Sequence, residues 1–253
     1  METSRETSPR HLPWIAAVTL LGLLIAAVAV AINTASDTTG AAIGAETRMA
    51  PEDAAAFAAL VASGHGGTVD TGMHHMHMGS DPEMVELSPA ESEELSAQLA
   101  LATAAAANYD TVDKATGAGY VPISPYVDGV GSHWTKWSLV DQPFDIERPS
   151  QLLFEEITWG AGPELVAFSY WVLSDEEPEG FAGGTDQWHS HLGLCFEDGM
   201  LTTENNPDPS TCNGDWISGE NIWMLHAWIV PGMENRFGVF HSVNPRLCER
   251  YCE

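Results

Sequence analysis

The chain has 253 residues, 44% of them hydrophobic, and carries 36 Asp plus Glu against nine Lys plus Arg, a formal net charge of −27. So acidic a surface repels phosphate backbones and anionic headgroups, which excludes nucleic acid as a partner and electrostatic docking on lipid as a mode of action. The length suits one domain with a linker, and no sequence signal names a protein partner.

Arg5 and Arg10 precede residues 14–32, WIAAVTLLGLLIAAVAVAI, a run without a charged side chain. At 1.5 Å per residue it matches a hydrocarbon core of about 30 Å. No Lys or Arg follows until Arg48. The asymmetry predicts residues 1–12 in the cytoplasm, 13–32 as a transmembrane anchor and the remainder outside the cell membrane. The alternative is a cleaved signal peptide and a secreted product, with Ala29-Val30-Ala31 as the small-x-small site. The run is longer than the roughly 7–15 residues of a signal core, which favours the anchor.

Residues 33–87 read as a flexible linker. Residues 33–50 are rich in Ala, Thr and Gly, and PEDAAAFAALVASG (51–64) carries the signals of a short helix: Pro51 at its start, Glu52 and Asp53 in the first turn, Gly64 at the end. Beyond it comes MHHMHM, where Met73, His74, His75, Met76, His77 and Met78 stand between two glycines. Thioether and imidazole together suit Cu(I), and imidazole alone suits Cu(II), so the segment reads as a copper-capture loop. The bland alternative is chance low complexity in a linker.

The globular domain is expected over 88–253. Ser88-Pro89-Ala90-Glu91 forms a capping box, and Leu95, Leu99, Ala102, Ala106, Tyr109 and Val112 make one apolar stripe, so a helix is expected to run until Gly117 or Gly119 stops it. From Tyr120 the period becomes two. Strands are predicted at 151–159 and 164–173 around a Gly-Ala-Gly-Pro turn, at 187–197 with Asp198-Gly199 turning into MLTTE, at 221–230 and at 238–243. The class is α+β: an α-helix packed on an antiparallel β-barrel or sandwich, behind an N-terminal membrane helix and linker. The eight tryptophans of this region read as core.

Four cysteines outside the membrane suggest two disulfides, among three connectivities. The local choice is Cys195–Cys212, across a segment that folds back on itself, with Cys248–Cys252. There is no CxxC, P-loop, dinucleotide fingerprint, GxSxG or HExxH.

TDQWHSHLGLC holds the most chemistry. On a strand, His189, His191 and Cys195 share one face, opposite Trp188, Ser190, Leu192, Leu194 and Phe196. Two imidazoles two residues apart converge on one ion. His226 is the expected third ligand and His133 the fourth, with His241 a further candidate. Glu155, Glu156, Asp186 and Glu197 are available carboxylates. Imidazole suits copper, zinc and iron alike. Singly, such histidines are more often hydrogen-bonded core residues.

Two resemblances follow from these segments. GYVPISPYVDGVGSHW, RPSQLLFEE, LHAWIV and NPRLC are similar to the GYVP, RPxxLLxE, LHxW and NPxxC pattern of an uncharacterised family of exported bacterial proteins. That implies an exported domain over about residues 95–250 and no reaction. Gly183, His189, His191 and Glu197, with Gly238, His241 and Asn244, resemble the two cupin motifs, although Glu197 is too distant and the second half lacks PxG. That resemblance implies a metal triad of His189, His191 and His241. The expectation is an anchored, exported protein that binds a transition metal, copper favoured. The alternatives are a cupin-like metalloenzyme, with an open coordination position, and an envelope domain without metal.

Overall fold

The computed structural model describes residues 49–64, 86–155 and 162–248. The expected anchor, the segment Met73–Met78, Glu156 and Cys252 lie outside the described residues. Among the described residues no helix is long and apolar enough to cross a membrane.

The capping box is formed: Ser88 N donates to Glu91 Oε2 at 2.8 Å and Glu91 N to Ser88 Oγ at 3.3 Å. Helix α2 (Pro89–Ala106) follows, with α1 (Pro51–Gly64) before it and α3 (Val112–Gly117) after it. The apolar stripe holds, since Ala102 and Ala106 are buried and Leu95, Leu99, Tyr109 and Val112 pack against the same core. The expected single helix to Gly117 is corrected, because it breaks after Ala106. Thr111 is extended and accepts from Lys114 N, which starts α3 afresh. Lys114 fastens the break through Asp110, 2.7 Å away, and the Ala107 carbonyl. Gly119, at φ +96°, ends α3 as the sequence suggests: Tyr120 N bonds Ala115 O and Gly119 N bonds Thr116 O.

Eight described strands follow: β1 (Val121–Pro122), β2 (Ser132–Thr135), β3 (Gln151–Glu155), β4 (Glu164–Leu173), β5 (Gly193–Glu197), β6 (Met200–Thr203), β7 (Asp215–Ser218) and β8 (Ile222–Ala227). They make a five-stranded antiparallel sheet, β1-β2-β3-β4-β8, and a three-stranded one, β6-β5-β7. The arrangement is an open sandwich, so the barrel alternative is set aside. The β3–β4 pairing and the β5–β6 hairpin stand as expected. Asp198 and Gly199 both have positive φ, 52° and 78°, as a two-residue turn of the type that Asp-Gly favours.

Two expected strands are corrected. Residues 187–192 make only an isolated bridge, His189 with Met224, before β5 begins at Gly193. Residues 238–243 form no strand: 239–240 are a turn, 242 a bend and the rest irregular. There Gly238 sits at φ +121°, and the Asn235 and Asn244 side chains accept from Phe237 N and Arg246 N, a local alternative to a sheet ladder.

Alternation along the large sheet sorts its faces. Leu152, Phe154, Phe168, Tyr170, Leu225 and Ala227 meet α2 and α3 in one cluster. The opposite face is divided. At one end Trp171, Ile222 and Met224 join Leu194, Phe196 and Ile217 of the small sheet and Leu60 of α1. At the other, Leu153, Ala167 and Trp228 join Val130 and Leu247. Between them runs a buried polar row. Gln151 Nε2 donates to Thr135 Oγ1 at 2.8 Å, and Ser169 Oγ donates to Gln151 Oε1 at 3.0 Å. A slip of one residue would bring Leu152 or Phe168 into this row, so the satisfied row fixes the register of β2, β3 and β4.

Helix α1 corrects the reading of residues 33–87 as linker throughout. Phe57 packs against Trp137 and Phe196, with centroids at 4.7 and 5.4 Å. Asp53 is buried, and its Oδ1 accepts from Ser138 N at 2.6 Å, capping the short helix Trp137–Leu139. The domain therefore takes in α1 as well as residues from 88 onward.

Candidate metal centre

The register that aligns the polar row also aims two histidines. His133 on β2 and His226 on β8 lie on the same sheet face as Thr135, Gln151 and Ser169, and His226 pairs directly with Ser169. Their ring centroids are 5.9 Å apart. The stretch before β5 runs along β8, where His189 N bonds Met224 O at 2.9 Å and Met224 N bonds His189 O at 2.7 Å. This bridge brings His189 within 5.9 Å of His226 and His191 within 5.4 Å of His189, centroid to centroid.

The four rings line one cavity of about 130 Å³. Its walls come from both apolar clusters, with Trp171 and Met224 on one side and Val127, Val130 and Val243 on the other. Imidazoles sharing a tetrahedral ion at 2.0–2.1 Å would hold their centroids roughly 5 Å apart. The three neighbouring separations, of the six possible, exceed that by less than about 1 Å. The donors are not drawn together: among the described residues no three His, Cys, Asp or Glu side chains form an assembled metal site. The rings follow one another as near neighbours, His133 to His226 to His189 to His191, without converging on one point.

Each imidazole is oriented by an oxygen at Nδ1. His226 Nδ1 is 2.7 Å from Ser242 O, and His189 Nδ1 is 3.4 Å from Gln187 O. His191 Nδ1 is 3.2 Å from Asn205 Oδ1, which also accepts from Leu192 N. His133 Nδ1 is 3.1 Å from Ser124 Oγ. Because that hydroxyl donates to Pro125 O, it accepts from His133. A carbonyl or amide oxygen can only accept, so Nδ1 carries the proton in every ring and Nε2 carries the lone pair. Such second partners are what fixes tautomer and ring angle in histidine-ligated metal sites.

Burial disfavours the charged form of three of the rings. Desolvation lowers the pKa of His133, with His191 and His189 adding to it and Glu204 opposing. Desolvation takes His226 well below the ordinary value, aided by His133 and His189 and opposed by the Ser242 carbonyl. Desolvation also lowers His191, against its bond to Asn205. Neutral imidazole is the form a metal binds.

The remaining candidates lie elsewhere. His241 bonds Val243 O through Nδ1 at 2.9 Å, packs at a tilt against Phe237 and is not among the residues lining the cavity. Cys195 is bonded to Cys212, as expected, so its sulfur is not a thiolate donor. Cys248 is a half-cystine as well. Asp186 accepts from Phe181 N and Trp188 Nε1, and burial raises its pKa. Glu155 pairs across β3–β4 with Glu164, and its pKa is raised by burial and then by that neighbour. Glu197 receives a long contact from Asn213, at 3.5 Å. None of these three lines the cavity.

Sequence reasoning missed Glu204, Asn205, Trp171 and Met224, all at the cavity wall. Glu204 and Asn205 arrive because Asn205 bridges Gly193 and Asn206 N bonds Gly193 O at 2.9 Å. Gly193 permits this: a Cβ there would collide with Asn206 O and the Trp216 indole. The only signal available was the NN pair after a predicted hairpin strand, which marks a turn and not a site. Comparison of the chain with protein-family models, with curated proteins and with solved structures gives no match.

Proposed function

We propose that this is an exported protein, held at the cell membrane by its N-terminal segment, that binds a transition-metal ion through His133, His189, His191 and His226. The observation that supports this reading is the common polarity of the four rings: one cavity, Nδ1 of each on an oxygen, Nε2 of each bearing the lone pair. Chance core histidines have no reason to share both a cavity and a tautomer. Copper is favoured, since Met224 adds a thioether to the wall and the chain carries MHHMHM, a soft donor set for capture. Zinc and iron are the competing ions. The open sandwich differs from the closed barrel that the cupin resemblance implies, which favours binding and handling over cupin-like catalysis.

The test uses the full chain with His74, His75 and His77 changed to Ser and Met73, Met76 and Met78 changed to Leu, so that the loop's donors are removed. Elemental analysis after loading and dialysis should give one copper per chain. His133→Ala or His226→Ala should release it, because losing one of four imidazoles breaks the coordination geometry. Circular dichroism of the metal-free variants checks that they fold. A folded protein without stoichiometric metal, or a folded His226→Ala form that keeps it, would overturn the proposal.

A further inference from the structure

We infer that a divalent ion in this pocket keeps a small monoanion as a further ligand, received by the indole N–H of Trp171. The inference rests on the four-histidine reading.

Charge is the first argument. Four imidazoles bind as neutral ligands and cancel none of a divalent ion's charge. Among the residues lining the cavity, Glu204 alone is acidic, and its charge is felt at His133. One positive charge would then remain in a cavity walled by Val127, Val130, Val243, Met224 and Trp171. An uncompensated charge in apolar surroundings is costly, and a bound ion dominates the field of its site. A monoanion on the ion removes the imbalance.

The second argument is independent of charge. Trp171 is 2% exposed and lines the cavity, yet its Nε1 has no hydrogen-bond acceptor among the described residues. A buried N–H without an acceptor is rare in native proteins and calls for a bound partner. Indole donates and never accepts, so its partner must be an acceptor, which suits an anion and not the cation itself. Three other buried tryptophans are satisfied, Trp188 by Asp186, Trp216 by Asn206 O and Trp228 by His241 O; Trp137 Nε1 also lacks a partner among the described residues, but Trp137 does not line the cavity. Space allows it too, since about 130 Å³ exceeds what an ion and one water-sized ligand of about 30 Å³ would fill. The ligand class is a small monoanion of one to three heavy atoms with a lone pair toward Trp171, such as hydroxide or azide.

Azide is the probe. The full chain with His74, His75 and His77 changed to Ser is loaded with Cu(II) and titrated with sodium azide, and the azide-to-copper charge-transfer band is followed. One azide per copper is expected. Trp171→Phe should keep the copper and weaken azide about tenfold, the effect of one lost hydrogen bond to a charged acceptor. Glu204→Gln should tighten azide several-fold, because the competing negative charge is gone. Copper at the cluster with no saturable band, or a folded Trp171→Phe form with unchanged azide affinity, overturns the inference. Should Trp171→Phe not fold, unchanged or weaker azide binding in Glu204→Gln overturns it instead. Failure to bind copper in a way that His226→Ala abolishes refutes the metal reading itself, a separate outcome.

Discussion

Changing Cys195 and Cys212 together to alanine should destabilise the domain by about 3 kcal/mol. The bond joins residues separated by 17 positions in sequence. Chain entropy released to the unfolded state by opening a ring of that size gives about 3 kcal/mol at 25 °C. The native side changes little: Cys195 is 2% exposed on β5, where alanine keeps the backbone pairing with β6 and β7. In a domain of this size that loss lowers Tm by about 6–12 °C. Urea titration of oxidised wild type and the double variant measures it, and the slope m should rise because the uncrosslinked chain unfolds to a larger surface. The ring contains Glu204 and Asn205, so metal affinity should fall as well. A loss below about 1 kcal/mol with unchanged m would refute the reasoning, by showing that the unfolded chain is held across this segment without the bond.

Acidification should destabilise the metal-free protein through its histidines. Burial holds His133, His191 and His226 below the ordinary imidazole value, so the unfolded state binds more protons and stability rises with pH. Their contribution is complete above about pH 7 and is lost as pH falls from about 6.5 through the lowered folded values. Raised Asp186 and Glu155 act oppositely, nearer the carboxylate range. Urea midpoints between pH 7.5 and 5.5 should therefore fall in wild type and fall less in His226→Asn, and equal slopes would count against it. Asn205→Ala should weaken metal binding about 10–100-fold, because His191 loses the oxygen that orients it. It should cost under about 1 kcal/mol of stability, as the position is exposed, and competition with a chromogenic chelator decides it. Gly131→Ala should cost about 1–3 kcal/mol. Gly131 lies at φ +99°, and a Cβ would run into the Phe154 carbonyl next to the strand that carries His133, so an unchanged Tm would remove that argument.

What the sequence disclosed were the features carried by short-range chemistry. The capping box, the stripe on α2, the Asp198-Gly199 turn, the β3–β4 pairing and Cys195–Cys212 each depend on residues close together in the chain. The break after Ala106 escaped because the apolar stripe continues through Tyr109 and Val112 while the backbone is reset by Thr111. His189 and His191 could be grouped with His133 and His226 by residue type, but the strand faces proposed for them were only partly right. Ser190 lines the cavity although alternation put it opposite, since residues 187–192 are not a regular strand. His241 looked equivalent to the others, and the turn at Gly238 takes it away. Glu204 and Trp171 were invisible as site residues. One reaches the cavity through the packing of Asn206 on Gly193, and the other is set apart only by an unmet indole N–H on a residue of the cavity wall.

Docking α1 on the domain changes what MHHMHM is mechanically. The segment lies between two helix ends that both belong to the domain, Gly64 of α1 and Pro89 of α2. It is a closed excursion, joined at each end, and not a tail. Whatever path it takes, none of its donors can lie farther than about 50 Å from the end of α1, the extended length of the intervening residues. Confinement within that radius corresponds to a local concentration of about the millimolar order inside it. On the reading proposed above, transfer of an ion from this segment to the cavity of the same chain would be first-order, at a rate independent of how much protein is present. That rate law distinguishes transfer within one chain from transfer between chains.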